Sequence, residues 1–335
     1  MIIRELRLSQ FRCHHQFSAR FSPHLNLIVG NNGRGKTALL EAIYYVSRLR
    51  SFRTSVTREL IEHSTNQFSI RLFTDTDKLA IDWSLEEKKI SLNDNPVKPI
   101  DFLRHIFCVA LTSHDVELCR GGSAERRRFL SAILAQLDQQ HLISLINYQK
   151  VLKHRNALLR QPDFDRVLFE SLTYQLEKWG KPLQRAHLQL ARRLGIIATI
   201  FYKLLSKNRE TLDWEYTPNS WKSSPAEERN QKRSLIGFQR DQIILRLDQK
   251  PMAAYGSEGQ HRTAAIALKL AEIYMLRRHL KRNPIILVDD IFGELDTQRR
   301  NILLSLLEAS FQIFITSTNL DWLESKLKDF QKLEL

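Results

Sequence analysis

Eight consecutive residues, Gly30-Asn31-Asn32-Gly33-Arg34-Gly35-Lys36-Thr37, fit the pattern G-x-x-x-x-G-K-[ST]. Glycines at these positions let backbone N–H groups curl around phosphate oxygens, and a helix beginning there adds the positive end of its dipole. In such a loop Lys36 reaches the β- and γ-phosphates of a nucleotide and Thr37 offers its hydroxyl to Mg²⁺. Far along the chain, Ile285-Ile286-Leu287-Val288 runs into Asp289-Asp290. Apolar residues ending in an acid form the Walker B arrangement, in which Asp289 holds the metal opposite Thr37. Strand side chains alternate, so Asp290 is expected to point elsewhere, as a base orienting the attacking water.

These residues need a strand, a loop and a helix to place them. Leu25-Asn26-Leu27-Ile28-Val29 reads as a buried strand, and Ala38 to Val46 spaces apolar residues as a helix does. Residues 1–29 read as strands, with a turn at Ser22-Pro23-His24. Short alternating stretches from Phe68 to Val97 predict an antiparallel meander forming a side sheet. Ile106 to Leu111 reads as a further buried strand. From about Gly121 to about Lys207 the chain is helical, with Ser123 as N-cap and a break at Gln161-Pro162. Arg126, Arg127 and Arg128 in a first turn oppose the helix dipole, which predicts an anion beside them. No heptad survives the break, so a compact helical lobe is expected rather than a long coiled coil. Tyr216 to Arg233 reads as an exposed linker. Helices at Thr263 to Leu280 and Thr297 to Glu308, with a buried strand at Phe311 to Thr318, return the chain to α/β character. The expected organisation is 1–115 and 236–335 as two halves of one α/β domain, with 116–235 as an inserted helical lobe.

The chain has 335 residues, 43% of them hydrophobic, which suits a globular fold with a well-buried core. No apolar run approaches the roughly 20 residues that span a bilayer, and no signal-peptide pattern opens the chain. Cys13, Cys108 and Cys119 are scattered without metal-ligand spacing, consistent with a reducing cytoplasm. With 51 Lys+Arg against 37 Asp+Glu, the net charge is +14, spread along the chain. Such an excess points to a polyanionic partner, most often nucleic acid. Candidate phosphate contacts are Arg50 and Arg53, in the polar loop after the first helix, together with Arg126, Arg127 and Arg128.

Gly256-Ser257-Glu258-Gly259-Gln260 precedes the helix near Thr263, and Glu294-Leu295-Asp296 follows Walker B. In ATP-binding cassettes a Ser-x-Gly-Gln signature at a helix start caps the γ-phosphate of ATP held by another subunit. A hydroxyl, glycine N–H groups and a helix dipole suit that anion. Ser257, Gly259 and Gln260 would then bind nucleotide across a homodimer interface.

With these motifs the chain resembles the RecF family, relatives of the SMC and Rad50 ATPase heads. The resemblance also rests on Phe11-Arg12, Leu39-Glu41-Ala42-Ile43-Tyr44, Ser51-Phe52-Arg53-Thr54, Arg126 to Leu130, Arg155-Asn156-Ala157-Leu158-Leu159 and Arg262-Thr263. It implies an ABC-type P-loop ATPase head, a mixed sheet core with an antiparallel side sheet, plus the inserted lobe. It further implies a cytoplasmic, weak ATPase that dimerises around ATP and binds single- and double-stranded DNA at gaps and junctions. RecR- and RecO-like mediators would be its partners and recombinase loading its outcome, with no membrane role. An SMC- or Rad50-like head from another repair or defence system is the alternative reading. A transporter subunit would need a switch histidine, which Thr316-Ser317-Thr318 lacks. The chain departs from the family at Gly237 to Gln242, at Thr112-Ser113-His114-Asp115 and at Ser131, which bears on coupling rather than on the phosphate loop.

Overall fold

Alternating and continuous apolar runs build different sheets here, because a strand buried on one face alternates and one buried on both does not. The computed structural model describes residues 1–207, 210–307, 310–318 and 330–335. They fall into two units, Met1–His114 with Ile273–Leu335, and Asp115–Glu272. The second unit runs past the boundary expected near residue 235.

The first unit opens with a hairpin of β1 (Ile3–Phe11) and β2 (His14–Arg20), followed by β3 (Leu25–Val29) and α1 (Lys36–Arg48). The predicted meander forms as β4 (Gln67–Thr74), β5 (Lys78–Ser84), β6 (Lys88–Leu92) and β7 (Asn95–Pro96). It does not stand alone: β4 pairs with β1, giving one antiparallel sheet in the order β2-β1-β4-β5-β6-β7. α2 (Pro99–Phe102) leads to β8 (Cys108–Thr112), which is buried throughout.

In the second unit come α3 (Glu117–Arg120), α4 (Ser123–Leu137), α5 (Gln139–Leu158) and α6 (Arg166–Ser206). The gap between α5 and α6 holds the expected break, but α6 then continues for 41 residues through Pro182. β9 (Leu212–Thr217), α7 (Pro225–Asn230), β10 (Gln242–Leu247), β11 (Lys250–Pro251), α8 (Met252–Tyr255) and α9 (Glu258–Leu280) follow. Strands β11-β10-β9 form a small antiparallel sheet.

The linker expected over Tyr216 to Arg233 is instead packed structure. Glu228 is 1% exposed and pairs with Arg155, itself 1% exposed, at 2.5 Å. Arg155 also donates to Ser234 Oγ at 2.7 Å and Thr173 Oγ1 at 3.0 Å, while Asn156 Oδ1 accepts from Ser234 N–H at 2.8 Å. The Arg-Asn-Ala-Leu-Leu string is therefore a clamp that holds this segment against α5 and α6.

Back in the first unit, β12 (Ile285–Asp289), α10 (Thr297–Leu306), β13 (Ile313–Ser317) and β14 (Phe330–Glu334) complete a parallel sheet in the order β14-β3-β13-β12-β8. Glu308, the expected end of the helix at Thr297, lies outside the described residues, and β14 had no counterpart in the expectations. Helix α1 lies against strands of both sheets, which is why Ala38 to Val46 is buried on every side. The buried Gln312 side chain joins the layers, accepting from Ile3 N–H at 2.7 Å and donating to the carbonyls of Ile3 and Ser22 at 2.8 Å.

Candidate nucleotide site

Three parallel strands end side by side at the phosphate loop. β3 runs into Gly30, β13 carries Thr316, and β12 ends at Asp289, with Asp289 opposite Thr316 and Thr316 opposite Ile28. Ligands of open α/β sheets bind beyond such carboxyl ends. Gly33 and Gly35 take φ of 83° and 90°, the left-handed region that favours glycine, and Lys36 opens α1 directly after them. A Cβ on Gly35 would lie 2.6 Å from Cys13 Sγ in the β1–β2 hairpin, and one on Gly30 would lie 2.7 Å from the Leu335 carbonyl. The loop is thus held from both sides. Asn31, Asn32 and Arg34 stand exposed along it.

Lys36 is 7% exposed, and its ammonium donates to the carbonyls of Gly30 at 2.7 Å and Asn31 at 3.1 Å. Its hydrogen-bond acceptors are neutral carbonyls, so the charge of this buried ammonium is offset chiefly by the nearby Asp290 carboxylate. Thr37 Oγ1 donates to Asp289 Oδ1 at 2.8 Å, joining the loop to the far strand. Thr316 Oγ1 donates to the same oxygen at 2.8 Å and accepts from Asp290 N–H at 3.1 Å.

Asp290 reaches its place by a different route from the one expected. It lies beyond β12 with φ of 52°, so a left-handed turn rather than strand alternation aims it. Burial, reinforced by Asp289 and opposed by Lys36, holds its carboxyl above the usual aspartate range.

Behind the loop, Arg12 grips Glu41 through Nε and Nη2 at 2.8 and 2.7 Å, and Ser51 Oγ also donates to Glu41. Arg53 lies 3.6 Å from the same carboxylate. The Phe-Arg and Ser-Phe-Arg-Thr strings therefore brace α1 from two sides.

In the second unit, Ser257 and Gln260 close a capping box at the start of α9. Gln260 N–H donates to Ser257 Oγ at 3.3 Å, and Gln260 Oε1 accepts from Ser257 N–H at 2.6 Å. Ser257 is exposed and accepts within the box, which leaves its own O–H to donate outward. Gln260 Nε2 in turn donates to Glu210 Oε1 at 2.5 Å, and Glu210 Oε2 accepts from the buried Tyr202 hydroxyl at 2.7 Å. Thr263 Oγ1 donates to the Gly259 carbonyl at 2.7 Å. Asp296, after Walker B, caps α10 by accepting from Arg299 N–H at 2.8 Å.

The triple-arginine turn is corrected. Gly122, not Ser123, occupies the N-cap, and Ser123 instead exchanges hydrogen bonds with the backbone of Ile243 in β10. Arg126 is 4% exposed and donates to the carbonyls of Ile243 and Cys119 at 3.1 and 2.8 Å. Arg127 donates to the Asp241 carbonyl and feels that residue's carboxylate; Arg128 pairs with Glu125. The anion expected beside these arginines is thus supplied by the chain itself, and Arg126 is withdrawn from any DNA surface. Arg50 is exposed, as is Arg53 despite its carboxylate neighbour. The altered Gly237 to Gln242 stretch is structural too: buried Asp241 accepts from Gln184 Nε2 and Asn219 N–H at 2.7 Å and from the Tyr216 hydroxyl.

Two residues escaped the sequence reading. Thr316 was visible only as part of a strand without a switch histidine, and its hydroxyl matters because β13 lies between β3 and β12. Glu210 carries no motif signal.

The family model of the RecF/RecN/SMC N terminal domain matches residues 2–332. Proteins named DNA replication and repair protein RecF from Cyanothece sp. and Acaryochloris marina are each 33% identical, covering 100% and 98% of this chain and 96% of their own length. A solved structure of the recombination mediator protein RecF with ATP, described in the RecFOR pathway, superposes with a TM-score of 0.89 at 27% identity, covering 98% of this chain and 93% of that one. An Smc head derived from Pyrococcus furiosus, at TM-score 0.57 and 15% identity, shares the fold alone. By sequence over its full length and by fold, the chain belongs to the RecF family.

Proposed function

We propose that the chain is an ATP-dependent DNA-binding protein of recombinational and gap repair, with slow ATP hydrolysis as a timer. The observation that carries this reading is the buried Lys36 ammonium, hydrogen-bonded to loop carbonyls beside the Thr37–Asp289–Thr316 array. The phosphate chain of ATP fits there, with Lys36 against the β- and γ-phosphates and the loop from Gly30 to Gly35 supplying N–H donors. Among the described residues no cluster of three or more His, Cys, Asp or Glu forms a metal cage. Mg²⁺ would rest instead on Thr37, Asp289, water and phosphate oxygens, as this small, hard cation commonly does. Asp290, aimed separately and less acidic than usual, would orient a water.

Ser257, with a free O–H at the start of α9, suits the γ-phosphate of nucleotide on a second copy, and Gly259 and Gln260 complete that cap. ATP then closes a homodimer, and hydrolysis opens it. The relatives' names support DNA repair, and the RecFOR description of the neighbour supports RecR- and RecO-like mediators and recombinase loading at single-strand/double-strand junctions. No described helix is long and apolar enough to cross a membrane. A cytoplasmic setting suits the exposed free thiol of Cys13.

Light scattering with and without ATP tests the reading. The wild type should pass from monomer to dimer. Ser257→Arg should still bind nucleotide yet stay monomeric and inactive. Lys36→Arg should lose turnover, since a planar fork cannot fill an ammonium site. Dimerisation of Ser257→Arg at wild-type ATP concentrations would exclude the trans site.

A further inference from the structure

Arg126 and Arg127 are engaged with backbone carbonyls, and Arg53 and Arg128 lie beside carboxylates, whereas α6 carries an exposed basic face. From Lys178 to Lys207 the sequence holds seven basic residues (Lys178, Lys181, Arg185, Arg192, Arg193, Lys203 and Lys207) and no Asp or Glu. At 3.6 residues per turn the six within α6 fall within about 120° of arc, along about 38 Å of helix, and Lys207 is its C-cap. Six of the seven are exposed and Lys203 is half-buried.

A charged helix face is ordinarily a solvated mixture of both signs. The first turns of α6 are such a mixture, with Arg166 paired to Glu170 at 3.0 Å and Lys181 to Glu177 at 2.5 Å. Beyond Lys181 the mixture stops. Arg185, Arg192 and Arg193 have no ion-pair partner among the described residues. The helix dipole favours cations only in the last turn, so it accounts for Lys203 and Lys207 but not for the three arginines.

We infer that this face of α6 is a docking surface for the phosphate backbone of duplex DNA. The inference rests on the DNA-binding reading and gives it a place. Arg185, Arg192 and Arg193 span about 12 Å of this face, so their guanidinium groups suit neighbouring phosphates of a duplex, and the exposed Ile196 and Ile200 lie on the same face before Lys203. Single strands are held by aromatic side chains stacking on bases. None of the exposed side chains from 181 to 207 is aromatic. A second copy of the chain is disfavoured as occupant, since self-pairing would set like charges against one another.

The test is the salt dependence of DNA binding by the full chain, with ATP present, to a blunt 30-base-pair duplex and to a 30-nucleotide single strand. Arg185→Ala, Arg192→Ala and Arg193→Ala are combined in one variant. If all three meet duplex phosphates, the slope of log K against log salt should fall in magnitude by about 2.7. Exposed side chains should leave melting and ATP-driven dimerisation unchanged, and Arg50→Ala with Arg128→Ala, two exposed arginines away from this face, should lower the duplex slope less than the triple variant does. An unchanged duplex slope in the triple variant overturns the inference while leaving DNA binding intact. A slope reduced only for the single strand overturns the choice of duplex. A wild type without salt-dependent DNA binding would instead refute the underlying reading.

Discussion

Removing the Thr316 hydroxyl while keeping its shape should uncouple the two acids of Walker B. Thr316 is 1% exposed, and its single oxygen both donates to Asp289 and accepts from Asp290 N–H. In Thr316→Val, Asp289 Oδ1 keeps only the bond from Thr37, and the Asp290 N–H loses its acceptor. A partly buried donor left unpaired costs about 1–3 kcal/mol. Part of that falls on folding and part on the arrangement that hydrolyses ATP. If most falls on the latter, turnover should drop about ten- to hundredfold, at 1.36 kcal/mol per factor of ten. Lys36 and the loop are untouched, so ATP affinity should change by less than about tenfold. Thr316→Ser restores the oxygen and should hydrolyse within about threefold of wild type. Steady-state phosphate release, run beside binding of a fluorescent ATP analogue and a thermal melt, separates these effects. Hydrolysis by Thr316→Val at the wild-type rate, or equal impairment of Thr316→Ser, would refute the idea that this hydroxyl aligns the pair.

Four further outcomes follow from the geometry. Asp290→Asn should bind ATP and prolong the bound state. Because burial and Asp289 raise the Asp290 pKa, wild-type hydrolysis should fall with acidification above the usual aspartate range, and that limb should vanish in the variant. Its melting point should also rise at pH 7, since the fold disfavours the charged form. Arg155→Ala leaves Glu228 buried without its cation and should cost about 3–5 kcal/mol in urea unfolding, whereas Arg155→Met with Glu228→Met should cost less. Burial lowers the pKa of stacked His141 and His187 from 6.5 to about 4 and about 3. The unfolded chain therefore takes up their protons first, so stability should decline as pH falls from about 6.5 towards 4, and less so in His187→Gln. Glu210→Ala frees Gln260 from its tether and should weaken ATP-driven dimerisation without weakening nucleotide binding by monomer, while Glu210→Gln should retain most of it.

The phosphate loop, the helix after it and Asp289 were legible because local chemistry dictates each: glycine where φ is positive, an apolar run where both faces are covered, an acid where the strand stops. The misread places share another character. Arg126 and Ser123 looked like a cap and an anion site, yet their partners are backbone atoms of Ile243, more than a hundred residues on. No local pattern announces such a partner. Tyr216 to Arg233 looked solvated because it is charged and carries prolines, but Glu228 is charged in order to meet Arg155. Asp290 was given its role for an insufficient reason, since alternation ends with the strand and the turn that follows has its own dihedrals.

The strand order β14-β3-β13-β12-β8 has a consequence for the chain as it is made. β3 and β8 come early, but β13 and β12, which lie between them, come only after residue 284. Between Thr112 and Ile285 a ribosome adds 172 residues, which at 5–20 residues per second takes roughly 9–35 s. For that interval Leu27, Ile28 and the apolar run from Cys108 to Leu111 belong to strands whose partners are not yet synthesised. Unpaired apolar edges of this kind recruit other chains. The nascent protein should therefore lean on holding chaperones until β12 and β13 emerge, and the phosphate loop acquires Asp289 only in that final step.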